Sequence, residues 1–283
     1  MVSKIRDYGE MVMFSHSLFS LPFGIIAMVL AYGAMPDFMT VFWIILALLG
    51  ARTAANSFNR IADKDLDTIN PRTAQRHLPQ GKVSTLEAFA ITFLSLNVLA
   101  VAAARLNPLC LILMPFAAAV VLFYSFTKRI TWACHHILGM CCALAPLGAW
   151  IAINASLELT PLVLFIAVTN FVAGFDILYA TQDIEFDRQE ALHSIPARFG
   201  LKKARLTSAF CHLITLICFG VLYFITELTP IYLIGLGLVA VLMAIEHLSA
   251  EPGSKKRMIF AAYSLNQVIS VVFFGFTMLA LFL

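Results

Sequence analysis

Charged residues are scarce in this sequence of 283 residues. Only 12% are Asp, Glu, Lys or Arg, whereas 61% are hydrophobic and the mean hydropathy is +0.89. A soluble domain usually carries about 25% charged residues, so the scarcity excludes an ordinary soluble domain. The composition instead predicts an all-α polytopic membrane protein, and no nucleic-acid partner is expected.

Neither a cysteine-based site nor a cleavable leader is expected. The six cysteines lie in apolar stretches and lack the cysteine–histidine spacing of a zinc site, so we interpret them as packing residues. Residues 1–10 are polar, and the apolar run after them is long enough to span a bilayer. We therefore expect no cleavable signal peptide.

Long apolar runs make up most of the chain. They lie at 12–34, 38–58, 85–105, 109–127, 134–154, 160–180, 205–226, 230–248 and 258–282. Each has roughly the 17–25 residues that a membrane-spanning helix requires. We predict a single membrane-embedded domain over residues 1–283, a bundle of nine transmembrane helices around a central cavity open to the cytoplasmic side.

The basic residues lie almost entirely on one side of these spans. Apart from Arg52 and Arg105, 17 of the 19 Lys and Arg residues fall at the N-terminus or in the connections on its side. The positive-inside rule predicts a cytoplasmic N-terminus and an external C-terminus. The long connections at 59–84 and 181–203 share the cytoplasmic side. We expect an active site on that face of a bacterial inner membrane or its organellar equivalent.

An acidic pattern begins the first long connection. Asn59, Asp63 and Asp67 are spaced at i, i+4 and i+8, which places three oxygen-bearing side chains on one face of a helix. Side chains that converge in this way repel one another unless a cation binds them, and Mg²⁺ prefers such oxygen ligands. Asp65 points off this face, and we expect it to be solvated.

A second acidic run closes the sixth span. Asp176, Asp183 and Asp187 are spaced at i, i+7 and i+11, again on one helical face. The last two repeat the aspartate pair of the first run 120 residues later. This repetition suggests a duplicated four-helix unit, 12–127 and 134–248, followed by a final helix at 258–282.

Two acidic sets, flanking basic residues and an apolar interior suit one class of substrate. Mg²⁺ keeps coordination positions open for water and phosphate oxygens, and Arg and Lys bind diphosphate. The 24 Phe and 11 Met residues supply lining for an apolar chain, although most of them pack or face lipid. The combination predicts a polyprenyl diphosphate substrate that enters from membrane lipid.

Several segments resemble the UbiA superfamily of intramembrane prenyltransferases. The first acidic run with its continuation resembles the family's first aspartate motif, and it reads NRIADKDLDTINPRTAQRHLPQG from residue 59. The segment from residue 176, DILYATQDIEFDRQEALHSIPARFG, resembles the family's second aspartate motif. FSHSLFSLPF at 14–23 and YSFTKRIT at 124–131 are similar to the first span and the third cytoplasmic element.

This resemblance implies a Mg²⁺-dependent transfer of a polyprenyl group from a polyprenyl diphosphate to a small aromatic acid such as 4-hydroxybenzoate, in quinone biosynthesis. The implied ligands of two magnesium–diphosphate units are Asn59, Asp63 and Asp67 for one, and Asp183 and Asp187 for the other. The implied diphosphate contacts are Arg72, Arg76, Lys128 and Arg129, with Arg198 weaker. Tyr124 and Tyr179 either line the pocket of the allylic cation or simply pack.

Two arginines bear on the aromatic acceptor. Members that prenylate hydroxybenzoate carry an arginine at the position of Arg52, which suits an aromatic carboxylate; the alternative is an ion pair with a buried acid such as Asp176. Arg60 stands where many members have Asp. With NPRT and HSIPARFG, it is more similar to the futalosine-route menaquinone branch than to ubiquinone enzymes.

A polytopic secondary transporter is the alternative from another functional class. It would also combine a helical bundle with intramembrane acids and internal repeats. However, a transporter would place its acids near the bilayer midplane, whereas these acids lie at span ends and precede basic connections. His77, His135, His136 and His193 show no metal-like helical pairing, and we assign them no catalytic role.

Overall fold

The computed structural model describes residues 2–12, 20–251 and 253–283, and over these residues the chain is helical and contains no strand. The helices are α1 Val2–Met11, α2 Leu21–Tyr32, α3 Phe38–Ala62, α4 Lys64–Ile69, α5 Thr85–Leu106, α6 Pro108–Thr127, α7 Cys134–Asn154, α8 Leu159–Ala180, α9 Ile184–Gln189, α10 Ile195–Ile225, α11 Ile231–Ser249, α12 Lys255–Ile259 and α13 Asn266–Phe282. A 3₁₀ turn, Thr181–Asp183, precedes α9, and a π-helical turn, Phe260–Leu265, precedes α13. The predicted all-α class is confirmed.

Eight helices within the described ranges are long and apolar enough to cross a membrane. They correspond to the second through ninth predicted spans. The first predicted span, 12–34, contains the shorter apolar helix α2. Residues 13–19, with most of the FSHSLFSLPF motif, lie outside the described residues. A ninth transmembrane helix therefore stays a prediction.

Helix α10 begins ten residues before the span predicted at 205–226, at Ile195. Lys202 and Lys203 interrupt the apolar pattern, so hydropathy alone places the start of the span after them. Gly200 has a φ of +79° and breaks the helix there, a conformation that glycine adopts without steric cost. A short amphipathic segment thus precedes the membrane-spanning part of α10.

The chain divides into two compact units after Phe126, close to the end of the first predicted repeat, but α2 belongs to the other unit. The first unit contains α1 and α3–α6, and the second contains α2 and α7–α13. Because α2 belongs to the second unit, the first unit is formed by two separate stretches of the chain, one before α2 and one after it. The predicted duplication therefore remains a hypothesis.

In the first unit, α3 packs closely along α5. A Cβ at Gly50 would lie 3.0 Å from the Ser95 carbonyl oxygen, so a side chain there would push the two helices apart by a few tenths of an ångström. Nearer the end of α3, the buried Ser57 hydroxyl donates to the Ala88 carbonyl at 2.8 Å. These contacts fix the end of α3, from which the first acidic run continues.

Helix α1 lies across the same end of the first unit. Lys4 Nζ and the Tyr8 hydroxyl both bind Glu87 Oε1, at 2.9 and 2.7 Å. Arg60, which is 7% exposed, donates from Nε to the Met11 carbonyl at 3.3 Å. Arg60, which stands where many members of the resembled family have Asp, therefore supports the end of α1.

A cluster of four phenylalanines forms the centre of the second unit. Phe219 and Phe273 stack with centroids 3.8 Å apart, and Phe23 of α2 lies 5.7–6.1 Å from these two rings and from that of Phe171. All four side chains are at most 1% exposed. This cluster explains why α2 joins the second unit, because its aromatic residue completes that core.

Gly139 sets the distance between α7 and α8. A Cβ there would collide with the Thr169 backbone carbonyl, which cannot move without displacing α8. We expect Gly139→Ala to lower the thermal unfolding temperature in detergent by about 5 °C or more, as overpacking costs roughly 1–3 kcal/mol. Gly148→Ala on the same helix is the matched control, since nothing lies within 4 Å of its Cβ position. Equal unfolding temperatures for both variants would contradict the close packing.

Candidate active site

The first acidic run spans a helix junction rather than one unbroken helix. Helix α3 ends at Ala62, Asp63 has φ −97° and ψ 5°, and α4 begins at Lys64. Two i to i+4 backbone bonds nevertheless cross the junction, from the Asp63 amide to Asn59 at 2.9 Å and from the Asp67 amide to Asp63 at 2.7 Å. Asn59, Asp63 and Asp67 thus keep the helical register that their spacing predicts.

The side chains of this run bind one another and a nearby arginine. Asn59 Nδ2 donates to Asp63 Oδ2 at 2.9 Å, and Arg76 Nη1 lies 2.6 Å from Asp67 Oδ1. Asp67 is only 5% exposed, and its Oδ2 is buried without a hydrogen-bond partner among the described residues. A buried carboxylate oxygen left in this way is costly unless a cation or a donor reaches it. Asp65, by contrast, is exposed as predicted.

The segment after α4 folds back onto the acidic run. Asn70 accepts a hydrogen bond from the Arg72 amide at 2.9 Å, an Asx turn that reverses the chain. The Thr73 hydroxyl then reaches the Asp67 carbonyl at 3.3 Å. This local structure explains the Asn-Pro-Arg-Thr sequence, because the turn brings Arg76 back to Asp67.

The second acidic run has the same construction. Helix α8 ends at Ala180, a 3₁₀ turn leads to Asp183, and the six-residue helix α9 follows, as the six-residue α4 follows Asp63. Asp183 has φ −103° and ψ 11°, within a few degrees of Asp63. Here too the run crosses a helix junction and is not one unbroken helix. Aspartate favours helix ends over helix interiors, so each junction falls on the leading aspartate of its pair.

The carboxylate of Asp187 is fully buried and is contacted at both oxygens. Lys128 Nζ lies 2.7 Å from Oδ1, and the Ser194 hydroxyl donates to Oδ2 at 2.8 Å. Asp183 is 5% exposed, four residues earlier. The second run therefore places a lysine against a buried aspartate, as Arg76 is placed against Asp67 in the first.

The segment 193–197 holds several of these groups in place. The His193 amide donates to the Lys128 carbonyl at 2.7 Å, and the Ile195 amide points at His135 Nε2 at 3.4 Å. Ser194 binds Asp187 in addition to capping α10 through the Ala197 amide. The HSIPA sequence thus connects α7, α9 and α10 around the second acidic run.

Asp176 is bound by a histidine that no sequence pattern singles out. His135 is 3% exposed, and its Nδ1 lies 2.7 Å from Asp176 Oδ2. Because the Ile195 amide is directed at Nε2, we assign the proton to Nδ1, which donates to the carboxylate. A quarter of the Asp176 side chain remains exposed. The histidine therefore orients a carboxylate that is open on its other side.

Replacing His135 tests this orientation. We expect His135→Ala to lower the unfolding temperature in detergent by about 4 °C or more, since a buried donor and ring volume are both lost. His135→Gln restores an amide donor and should recover more than half of this loss. If the two variants unfold at the same temperature, the hydrogen bond to Asp176 does not stabilise the fold.

The remaining predicted residues occupy varied surroundings. The Arg198 guanidinium lies 5.9 Å from the Trp132 ring centre and 5.5 Å from that of Phe199, so its observed contacts are aromatic. Tyr179 packs edge-on against Tyr263 at 5.0 Å. The other predicted residues, each partly buried, are Arg52 and Tyr124 in the first unit and Arg129 in the second.

Comparison with known proteins identifies the family. The model of the UbiA prenyltransferase family matches residues 20–266. The chain belongs to the UbiA prenyltransferase family. The predicted enzyme class, a prenyltransferase, is thereby confirmed, and the transporter alternative has no support.

Similar proteins agree with this membership. The 4-hydroxybenzoate octaprenyltransferase of Haemophilus ducreyi is 30% identical over 196 residues, 69% of this chain and 71% of that protein. The one from Actinobacillus pleuropneumoniae is 30% identical over 218 residues, 77% and 74% of the two chains. The apo structure of a UbiA homolog from Aeropyrum pernix K1 is 30% identical and has a TM-score of 0.85, covering 94% of this UbiA prenyltransferase and 97% of that chain. A homolog from Archaeoglobus fulgidus bound to DMAPP and Mg²⁺ shares the fold, with a TM-score of 0.71 at 19% identity, covering 97% and 99%.

Proposed function

We propose that this enzyme transfers a polyprenyl group from a polyprenyl diphosphate to a small aromatic acid, with Mg²⁺ as cofactor. The observation that carries the proposal is the repeated construction of the two acidic runs. Each places a leading aspartate at a helix junction and a buried aspartate four residues later, and each buried carboxylate contacts a basic side chain. Carboxylate–cation pairs of this kind suit a ligand that brings both phosphate and metal.

The residues of the first run fit Mg²⁺ by their chemistry. The ligand atoms offered by Asn59, Asp63 and Asp67 are oxygens, and the buried Asp67 Oδ2 has no hydrogen-bond partner in the described part of the chain. We assign Asp183 and Asp187 the same function in the second run. When bound, Mg²⁺ neutralises charge on the diphosphate as it leaves. The Archaeoglobus fulgidus homolog, whose structure contains DMAPP and Mg²⁺ together, supports Mg²⁺ as the cofactor.

The basic residues of each run bind the diphosphate. Arg76 and Lys128 contact aspartates in this structure. We infer that they turn toward phosphate oxygens when substrate and metal neutralise those carboxylates, together with Arg72 and Arg129. Arg198 is a weaker candidate, because its guanidinium already contacts two aromatic rings.

We propose that the aromatic acceptor binds next to the first acidic run, earlier on α3. Arg52 lies seven residues, about two turns, before Asn59 on α3, and we propose that it binds the acceptor carboxylate. Tyr124 and Tyr179 are the proposed aromatic groups that shield the allylic cation. Transfer breaks the carbon–oxygen bond of the donor and forms a carbon–carbon bond to the ring, from which a proton is lost.

The proposed acceptor is 4-hydroxybenzoate or a related quinone precursor. The relatives from Haemophilus ducreyi and Actinobacillus pleuropneumoniae, both named 4-hydroxybenzoate octaprenyltransferases, support this choice. The sequence around Arg60 favours the futalosine route to menaquinone over the ubiquinone route. In this structure Arg60 donates to the Met11 carbonyl and so supports the end of α1.

The proposed active face is cytoplasmic. Both acidic runs lie at the ends of their helices that precede basic connections, and the positive-inside rule assigns these ends to the cytoplasm. Arg205 also binds the carbonyls of His247 and Ala250, which joins the basic start of α10 to the end of α11.

An assay of the purified enzyme tests the proposed function. In detergent with Mg²⁺, a polyprenyl diphosphate and 4-hydroxybenzoate, we expect diphosphate release and a carbon–carbon linked product. Chelation with EDTA should stop product formation, and added Mg²⁺ should restore it. A panel of other aromatic acids then ranks the acceptors. Failure to form product with any aromatic acid would contradict the proposal.

A further inference from the structure

A second group of metal-ligating side chains lies in the first unit, apart from the acidic run. Asp7 and Glu10 project from α1, and His77 comes from the segment that follows Arg76. One ligand atom from each of the three side chains lies within 4.8 Å of the others. No sequence pattern indicates this group, because 67 residues separate Glu10 from His77.

The spacing within this group is not that of direct hydrogen bonds. His77 Nε2 lies 3.5 Å from Glu10 Oε2 and 3.9 Å from Asp7 Oδ1. Hydrogen bonds from nitrogen to oxygen span about 2.7–3.2 Å. By contrast, ligands held about 2.0–2.2 Å from a tetrahedral ion are separated by roughly 3.3–3.6 Å. The distance from His77 to Glu10 has this value, and a shift of a few tenths of an ångström would bring Asp7 to the same separation from His77.

The backbone positions all three ligands before any ion binds. The His77 carbonyl accepts the amides of Lys82 and Val83, at 2.9 and 3.3 Å, which fixes the turn that carries the imidazole. On the other side, Lys4 and Tyr8 attach α1 to Glu87. Both parts of the site are thus held in place by contacts outside it.

Glu10 shows the outer-shell contact expected of a ligating carboxylate. Arg6 binds its Oε1 at 2.7 Å, which leaves Oε2 directed to His77. Such hydrogen bonds orient ligating carboxylates. The side chains are 17% exposed for His77, 29% for Asp7 and 49% for Glu10, so water can complete the coordination.

We propose that Asp7, Glu10 and His77 bind a first-row transition-metal ion such as Zn²⁺. One imidazole and two carboxylates favour these metals over Mg²⁺, which prefers oxygen ligands alone. The ion joins α1 to the segment that begins at Asn70. Since His77 directly follows Arg76, which binds Asp67, the ion also fixes the backbone next to that contact.

Imidazole coordination distinguishes this site from the two aspartate runs, whose assigned ligands are oxygens. The full chain, purified without a histidine tag and saturated with Mg²⁺, is loaded with about one equivalent of Cu²⁺, which binds such sites most tightly. Pulsed EPR then detects nitrogen from a coordinated imidazole. We expect this coupling in the wild type and in His193→Ala, an exposed histidine beside the second run, and its loss in His77→Ala.

Asp7→Asn serves as a second variant that keeps the imidazole. It should weaken Zn²⁺ binding about tenfold, and Zn²⁺ should raise the unfolding temperature of the wild type but not of His77→Ala. Without transition metal, His77→Ala should unfold at the wild-type temperature. The proposal is overturned if the wild type shows no imidazole coupling, or if the coupling persists in His77→Ala. These readouts do not depend on prenyl transfer.

Discussion

Asp63→Ala and Asp183→Ala are each expected to lower kcat/KM for prenyl transfer by about 10³-fold or more, roughly 4 kcal/mol of transition-state stabilisation. Each residue is the leading aspartate at its helix junction, with nearly the same backbone conformation. Removal of either takes away one proposed ligand oxygen of a magnesium–diphosphate unit. The measurement is product formation at saturating Mg²⁺ with varied donor concentration.

Asp65→Ala is the matched control for the first of these variants. Asp65 lies between Asp63 and Asp67 but is exposed and off their face. Its removal changes the local charge equally without removing a proposed ligand, so activity should stay within about twofold of the wild type. The site assignment is wrong if Asp63→Ala and Asp183→Ala both retain full turnover.

Lys128→Gln is expected to destabilise the metal-free enzyme and to respond strongly to Mg²⁺. Asp187 is fully buried, and Lys128 is its cationic partner at 2.7 Å. Removing one partner of a buried pair leaves an uncompensated charge, which costs about 3–5 kcal/mol when both are buried. Because Lys128 is 35% exposed, solvent reduces this cost, and we expect about 2 kcal/mol. The unfolding temperature in EDTA should then fall by about 4 °C or more.

Added Mg²⁺ should recover most of this lost stability if Asp187 is a metal ligand, because the ion replaces the missing positive charge. Lys203→Gln, an exposed lysine on α10, should show neither the loss nor the recovery. A loss that Mg²⁺ does not reverse would remove Asp187 from the ligand set. No loss in EDTA would mean that the Lys128 contact does not stabilise the fold.

The membrane spans could be predicted because hydropathy acts locally. Bounds such as 134–154 for α7 agree with the structure. The span predicted at 205–226 does not include the short helical segment from Ile195 to the break at Gly200, which is too short for a hydropathy signal and is followed by Lys202 and Lys203. The assignment of α2 to the second unit could not be predicted, since it depends on Phe23 packing against aromatic residues far along the chain.

The site was predictable to the extent that its residues are close in sequence. The i, i+4 spacing of both acidic runs is visible without a structure, and the backbone bonds across the Asp63 junction preserve it. The contact between His135 and Asp176 joins residues 41 positions apart and has no sequence signature. The same holds for His77 with Asp7 and Glu10, which the sequence left without any assigned role.

The sequence by itself determined the all-α membrane class and the two aspartate runs, because composition, periodicity and motif spacing are properties of neighbouring residues. The resemblance of its motifs to a known family indicated the prenyltransferase family. Only the tertiary structure decided which basic side chain binds each buried aspartate, Arg76 for Asp67 and Lys128 for Asp187. It also brought His135 into contact with Asp176 and His77 next to Glu10 of α1. These contacts depend on how separate segments pack against one another. The partner of a buried carboxylate is the basic side chain that lies nearest to it in the folded structure, and this side chain can be far away in sequence.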